Sequence, residues 1–186
     1  MSAPYKILAI TGSLRKASFN TALLNTLAAT DYDGLKVEVA DISEIPLYNQ
    51  DIDVEPVLPA IQTLRDQVAA ADALIIASPE YNYTMSGVIK NIIDWLSRPY
   101  GKAAVVGKPI LIITTSPGST GGVRAQSPIR STLAAIGAYP LGGAEVIIAA
   151  VDKKITDGRF TDEANLTFIA ESLERLKAEI RVRQAA

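Results

Sequence analysis

The stretch Tyr5-Lys6-Ile7-Leu8-Ala9-Ile10-Thr11-Gly12-Ser13-Leu14-Arg15-Lys16-Ala17-Ser18-Phe19-Asn20 decides the fold. Its opening is an apolar, strand-like run, and its second part is a polar loop that begins on glycine. In the Thr21-Ala22-Leu23-Leu24-Asn25-Thr26-Leu27-Ala28 that follows, apolar residues recur at helical spacing. A strand, a hydroxyl-rich loop with one arginine, and a helix N-terminus in succession suit a phosphate group.

Working outward, Leu35-Lys36-Val37-Glu38-Val39-Ala40-Asp41 alternates as a second strand, with one polar face that places it nearer a sheet edge. Val57, Ile61, Leu64, Val68 and Ala71 mark a second helix. Ala73-Leu74-Ile75-Ile76-Ala77 is apolar without interruption, as expected of a central parallel strand covered on both faces. A polar loop over residues 78–87 and a helix with Val88, Ile89, Ile92, Ile93 and Leu96 come next. Ile110-Leu111-Ile112-Ile113-Thr114-Thr115 is a fourth strand, followed by a loop over residues 116–122 and a helix carrying Ile129, Leu133 and Ile136. A fifth strand is expected near Glu145-Val146-Ile147-Ile148-Ala149, and Thr161 or Asp162 caps a last helix with Leu166, Ile169, Leu173, Leu176 and Ile180 on one face.

Repeated strand–helix alternation without repeats or a linker predicts one α/β domain over residues 1–186, a parallel sheet with helices on both faces. Five strands fit the flavodoxin-like order 2-1-3-4-5, a three-layer sandwich whose ligand crevice lies at the carboxyl edge between strands 1 and 3. The three polar loops marked by Gly or Pro follow strands 1, 3 and 4, so topology alone gathers them around that crevice.

Composition narrows the chemistry. The 186 residues are 48% hydrophobic and 20% charged, which describes a globular chain able to bury a core. A net charge of -2 without a Lys/Arg block argues against nucleic acid or an anionic membrane as the partner. The chain contains neither His nor Cys. Disulfides, ordinary zinc sites, iron–sulfur clusters, a Cys nucleophile and a Ser-His-Asp triad are thereby excluded. Carboxylate, Lys or Tyr chemistry remains, or chemistry carried by an organic cofactor. Met1-Ser2-Ala3-Pro4-Tyr5-Lys6 opens no signal-peptide pattern and no apolar run is long enough to span a membrane, so a cytoplasmic location is expected.

In the first loop Arg15 could bond a phosphate in bidentate fashion, with Ser13 and Ser18 donating hydroxyls at a positive helix end. The simpler alternative is that Ser18 or Asn20 only caps the helix and Arg15 is a solvated charge. The loop is not Gly-x-Gly-x-x-Gly, because bulky Leu14 and Phe19 stand where a pyrophosphate needs close backbone approach, and no Walker Gly-Lys-Ser/Thr follows. In Pro79-Glu80-Tyr81-Asn82-Tyr83, Asn82 and exposed amides could bond a heteroaromatic ring flanked by Tyr81 or Tyr83, although a plain turn with surface tyrosines fits the same residues. Glu80 has no second carboxylate near it in sequence; a helix N-terminal charge or a subunit contact accounts for it, and it is not read as catalytic. The Ser116 to Gly122 loop could offer a hydroxyl and amides, or could be no more than a mobile connection. Trp95, on an amphipathic helix, reads as core or interface.

Gly12-Ser13-Leu14-Arg15-Lys16-Ala17-Ser18-Phe19-Asn20, Pro79-Glu80-Tyr81-Asn82-Tyr83 and Lys90-Asn91-Ile92-Ile93-Asp94-Trp95-Leu96-Ser97-Arg98 together resemble the NAD(P)H-dependent FMN reductases, in particular their chromate and quinone reductase branch. The resemblance implies an FMN-binding oxidoreductase that takes a hydride from NADPH or NADH and passes electrons to a small-molecule acceptor in a ping-pong cycle. The acceptor it implies is a quinone, chromate, an azo compound or free flavin, and discrimination of NADPH would need a cation at the 2′-phosphate, for which Arg15, Lys16 and Arg124 are candidates. It implies that the loop of Ser13, Leu14, Arg15, Ser18, Phe19 and Asn20 holds the FMN phosphate. Pro79, Glu80, Tyr81, Asn82 and Tyr83 hold the ring, and Ser116 and Gly118 close beside it. No catalytic side chain and no metal are implied, because the cofactor carries the chemistry. A homodimer or homotetramer is implied, whereas a flavodoxin-type electron carrier would need a charged docking face of which a net charge of -2 gives little sign.

Overall fold

The computed structural model describes residues 3–185; Met1 and Ser2, at the head of the N-terminal stretch considered above, and Ala186 lie outside the described residues. Four long or edge strands, β1 (Tyr5–Thr11), β2 (Leu35–Val39), β3 (Ala73–Tyr81) and a strand at Pro109–Thr115, pair in parallel with β1 and β3 at the centre. Their alternate residues point to opposite faces. Leu8, Ile10, Leu74, Ile76, Ile110 and Ile112 enter one core, and Ile7, Ala9, Ile75, Ala77, Leu111 and Ile113 enter the other.

Among the described residues, five α-helices cover those faces. α1 (Phe19–Ala29) and a long C-terminal helix at Glu163–Gln184 lie on the second core through Leu23, Leu24 and Leu27 and through Ile169, Leu173, Leu176 and Ile180. α2 (Pro59–Ala70), α3 (Gly87–Leu96) and α4 (Val123–Ala135) lie on the first. The expected three-layer α/β sandwich is thus present, and the apolar strands are continuous in sequence because both faces are buried. Each fully buried Ile, Leu or Val contributes about 1.5–3 kcal/mol. The predicted Asp162 cap is made, its carboxylate accepting from the Asn165 amide at 2.9 Å. At the C-terminus of α2, Lys108 Nζ donates to the carbonyls of Ala69 and Ala71, and the accompanying burial pushes its pKa below the ordinary lysine value.

The sheet has seven strands rather than five. β3 runs on through Tyr81 and turns back as β4 (Thr84–Met85), an antiparallel pair. The strand at Pro109–Thr115 is therefore β5, and the expected fifth strand is two pieces laid along it, β6 (Tyr139–Pro140) at its start and β7 (Val146–Ile148) at its end. Residues between them, including Gly142 and Gly143, offer no strand propensity. Counted by position, the order is still 2-1-3-4-5. After a short 3-10 turn, β8 (Ile155–Thr156) and β9 (Arg159–Phe160) form a separate hairpin through Asp157 and Gly158, both at positive φ, before α5 (Glu163–Gln184). No described helix is long and apolar enough to cross a membrane.

Candidate functional site

Residues 12–18, 78–87 and 116–122 meet at the carboxyl edge of β1, β3 and β5. Ser13, Arg15, Ser18, Phe19, Asn20, Pro79, Glu80, Tyr81 and Ser116 line one cavity of about 120 Å³ there, with Thr115 and Pro117. Topology predicted the meeting, and nine of the thirteen residues expected in the site contribute to it. Pro117 belongs to the expected Ser116 to Gly122 loop, whereas Thr115 is a residue the motifs leave out; its signal is only position, at a strand end beside Ser116.

The first loop owes its shape to short polar contacts. Ser18 caps α1, its Oγ accepting from the Thr21 amide at 3.2 Å, and Ser13 Oγ accepts from the Arg15 amide at 3.4 Å. The simple capping role of Ser18 is therefore real, and the same residue still faces the cavity. The first-turn amides of Phe19 and Asn20 have no carbonyl one turn back to bond and find no acceptor among the described residues. Arg15 is exposed, its guanidinium carbon 5.9 Å from the Phe19 ring centroid. Asn20 is buried, and its Oδ1 accepts from the Thr115 hydroxyl at 3.2 Å, which ties α1 to the end of β5.

Gly12 lets the first loop touch the second. A Cβ there would stand 2.8 Å from Ile89 Cγ1 and 3.0 Å from both Pro79 Cδ and Ser78 Cα. The Gly12 amide donates to the Ala77 carbonyl at 2.6 Å, and its carbonyl accepts from the Ser86 hydroxyl at 2.8 Å. Ser86 in turn caps α3 through the Ile89 amide. Gly12, the first residue of the loop motif, and Ser86, which lies outside the quoted motifs, thus fasten the two loops together.

The second loop is a tight hairpin, the turn with surface tyrosines given above as the plain alternative. Asn82 and Tyr83 sit at its turn with φ of 50° and 68°, the left-handed pair that a two-residue hairpin demands. Neither lines the cavity. Glu80, largely shielded, pairs with Arg124 of α4 at 2.9 Å, and Arg124 also lies 4.2 Å from the Tyr83 ring centroid. The reading of Glu80 as a helix N-terminal charge is what the geometry shows, and Arg124 is occupied by it. Leu14 is turned elsewhere, 58% exposed, toward an apolar hollow with Ile42, Ile45, Val88 and Ile92. Gly118 donates its amide to Ser116 Oγ at 3.0 Å, bracing the third loop beside the cavity. Ser116 and Gly118 are also tied to residues 148–151 by backbone bonds.

The motif on α3 proves to be scaffolding. Asn91 donates to the Pro46 carbonyl at 2.8 Å and accepts from the Tyr48 amide at 2.7 Å, while buried Trp95 donates to the same Pro46 carbonyl at 2.9 Å. These residues, four apart on one helix face, strap the connection between β2 and α2 to α3. Among the described residues no cluster of three or more His, Cys, Asp or Glu could hold a metal ion.

Comparison with known proteins agrees with this geometry. The family model for NADPH-dependent FMN reductase matches residues 5–153. An NAD(P)H-dependent FMN reductase of Pseudomonas aeruginosa is 42% identical over 182 residues, 97% of this chain and 98% of that one. A 2-hydroxy-1,4-benzoquinone reductase of a Burkholderia species is 35% identical over 181 residues, 96% of this chain and 98% of that one. Among solved structures, the flavoenzyme NAD(P)H:(acceptor) oxidoreductase FerB of Paracoccus denitrificans superposes with a TM-score of 0.80 at 30% identity, covering 97% of this chain and 98% of that one. With its three loops gathered at one strand edge and a match that spans all of them, the chain belongs to the NADPH-dependent FMN reductase family.

Proposed function

We propose that this protein is an FMN-dependent NAD(P)H:acceptor oxidoreductase acting on quinones. The observation that carries the reading is the cavity in which a donor-rich loop and a hairpin face each other across the ends of β1 and β3. The donor-rich end fits a phosphate: Ser13, Ser18 and Arg15 offer donors, and the Phe19 and Asn20 amides have no acceptor of their own. The one carboxylate in the lining, Glu80, is already neutralised by Arg124 and does not repel the phosphate.

FMN, when bound, supplies the two-electron chemistry that a chain without His or Cys lacks. The protein's share is to bind and orient. Ser13, Arg15 and Ser18 would hold the phosphate, with Phe19 and Asn20 contributing amides. Pro79, Glu80 and Tyr81 would border the ring, with Asn82 and Tyr83 setting the hairpin that positions them. Ser116 and Gly118 would close the third side. The open mouth leaves hydride donor and acceptor one shared place, so the cycle is ping-pong. The same mouth would admit chromate, an azo compound or free flavin. Reliance on NADPH or NADH fits a cytoplasmic setting. Self-association as a dimer or tetramer is supported by the apolar hollow beside the first loop and by Leu47, 82% exposed on its rim.

The test is a visible spectrum of the purified, FMN-reconstituted protein, recorded anaerobically before and after NADPH and again after a quinone. Bleaching by the nucleotide and recovery with the quinone are expected. Protein that cannot be loaded with FMN overturns the reading, and loaded protein that neither NADPH nor NADH bleaches is an electron carrier instead.

A further inference from the structure

The consecutive cations Arg15 and Lys16 are divided between two cavities. Arg15 lines the crevice described above, and Lys16 lines a second cavity of about 340 Å³ on the other side of Ser18 and Phe19, which border both. The second cavity lies between Lys16, Thr21, Ala22 and Asn25 on one wall and Ile155 and Gly158 of the β8–β9 hairpin on the other. That hairpin is a fixed wall: the Phe160 amide donates to Thr26 Oγ1 of α1 at 2.9 Å, and Phe160 is buried in the core.

The lining has the make-up of a nucleoside site, with apolar faces from Phe19, Ala22 and Ile155 and a few polar groups in Thr21 and Asn25. An asparagine amide offers both a donor and an acceptor to a base edge. Lys16 is exposed and has no carboxylate within ion-pair distance among the described residues. Asp157, next to Gly158 in the hairpin turn, is outside the lining. An unpaired ammonium beside an apolar slot suits a phosphomonoester carried on a nucleoside.

We propose that this second cavity receives the adenosine end of NADPH, with Lys16 on the 2′-phosphate and Asn25 on the base, while the nicotinamide end enters the crevice across Phe19. The proposal rests on NAD(P)H being the hydride donor, and it adds the choice between the two dinucleotides. Arg124, the other candidate cation, is committed to Glu80 and Tyr83.

The experiment titrates adenosine 2′,5′-bisphosphate calorimetrically into FMN-loaded wild type, Lys16→Ala, Lys16→Glu and Asn25→Trp, and measures KM for NADPH and NADH on the same samples. Lys16→Ala is expected to weaken bisphosphate binding and raise the NADPH KM about fivefold, the upper end for one exposed charge pair, with the NADH KM unchanged. Lys16→Glu enlarges that effect, and Asn25→Trp, on an exposed helix position, raises both KM values by filling the slot. FMN affinity stays constant throughout. Unchanged bisphosphate affinity in both Lys16 variants overturns the proposal, as does a loss of FMN affinity in Lys16→Ala, which would assign the lysine to the crevice. FMN-loaded wild type that oxidises neither dinucleotide overturns the underlying function instead, an outcome separate from these.

Discussion

Glu80 and Arg124 join the hairpin of the second loop to the helix that follows the third. Glu80 Oε1 accepts from Arg124 Nη1 at 2.9 Å, and Oε2 accepts from the Arg124 backbone amide at 3.0 Å. The N-cap position of α4 is Gly122, in left-handed backbone with no side chain to offer, so a carboxylate from β3 supplies the missing cap. One side chain thereby fixes both the hairpin bordering the crevice and the start of α4.

Glu80→Ala should therefore lower stability by about 1–2 kcal/mol, the range for losing a cap, and weaken FMN binding by loosening the hairpin. Glu80→Gln keeps an acceptor for the amide while removing the ion pair, and is expected to lose less. Urea unfolding with an unchanged m-value measures the first effect and fluorescence titration the second. Equal stability of Glu80→Ala and wild type would show that α4 starts without help from β3.

Gly12→Ala tests how closely the first two loops must approach. The added methyl would meet Pro79 Cδ and Ser78 Cα at 3.0 Å, ring and backbone atoms that cannot swing aside as the Ile89 side chain could. Overpacking of this kind costs about 1–3 kcal/mol. A lower Tm together with weaker FMN binding is expected; a Tm equal to wild type would mean that the loops separate without penalty.

The central strands and the three-layer order were legible because Ile7 to Ile10, Leu74 to Ile76 and Ile110 to Ile113 are apolar on both faces, a pattern few other folds use. The turn at Asn82-Tyr83 was legible only as a plain alternative, since a two-residue hairpin is announced by glycine after asparagine, and here tyrosine takes the left-handed position. The contact of its ring with Arg124, remote in sequence, helps hold it there. The β8–β9 hairpin does carry a signal, Asp157-Gly158 between Ile155-Thr156 and Arg159-Phe160, but its strands are too short and too mixed in polarity to register as apolar runs. In the site, short-range features such as the Ser18 cap were readable. The Asn20–Thr115 and Glu80–Arg124 contacts depend on packing and left no local mark.

Arg15→Ala is expected to weaken FMN binding by about 1.5 kcal/mol, the lower end for a charge-assisted hydrogen bond because Arg15 is exposed. Riboflavin, which lacks the phosphate, should bind wild type and variant equally. If the variant loses affinity for both ligands alike, Arg15 acts through loop shape and the Phe19 contact and not through the phosphate.

Leu47 is held out to solvent by a rigid strap, because its neighbours Pro46 and Tyr48 are both bonded to Asn91 of α3. An exposed leucine on so firm a mount, next to a hollow of about 300 Å³ lined by Leu14, Ile42, Ile45, Val88 and Ile92, has the form of a knob beside a hole. A two-fold axis through this face would set each knob into the other copy's hole. Leu47→Glu would place a carboxylate in that apolar contact, and the desolvation cost of an unpaired charge should reduce the assembled mass in sedimentation velocity at micromolar concentration. Monomer fold should persist, since Leu47 contributes nothing to either core. Wild type that sediments as a monomer, or a variant that assembles as fully as wild type, would remove this face from the contact between copies.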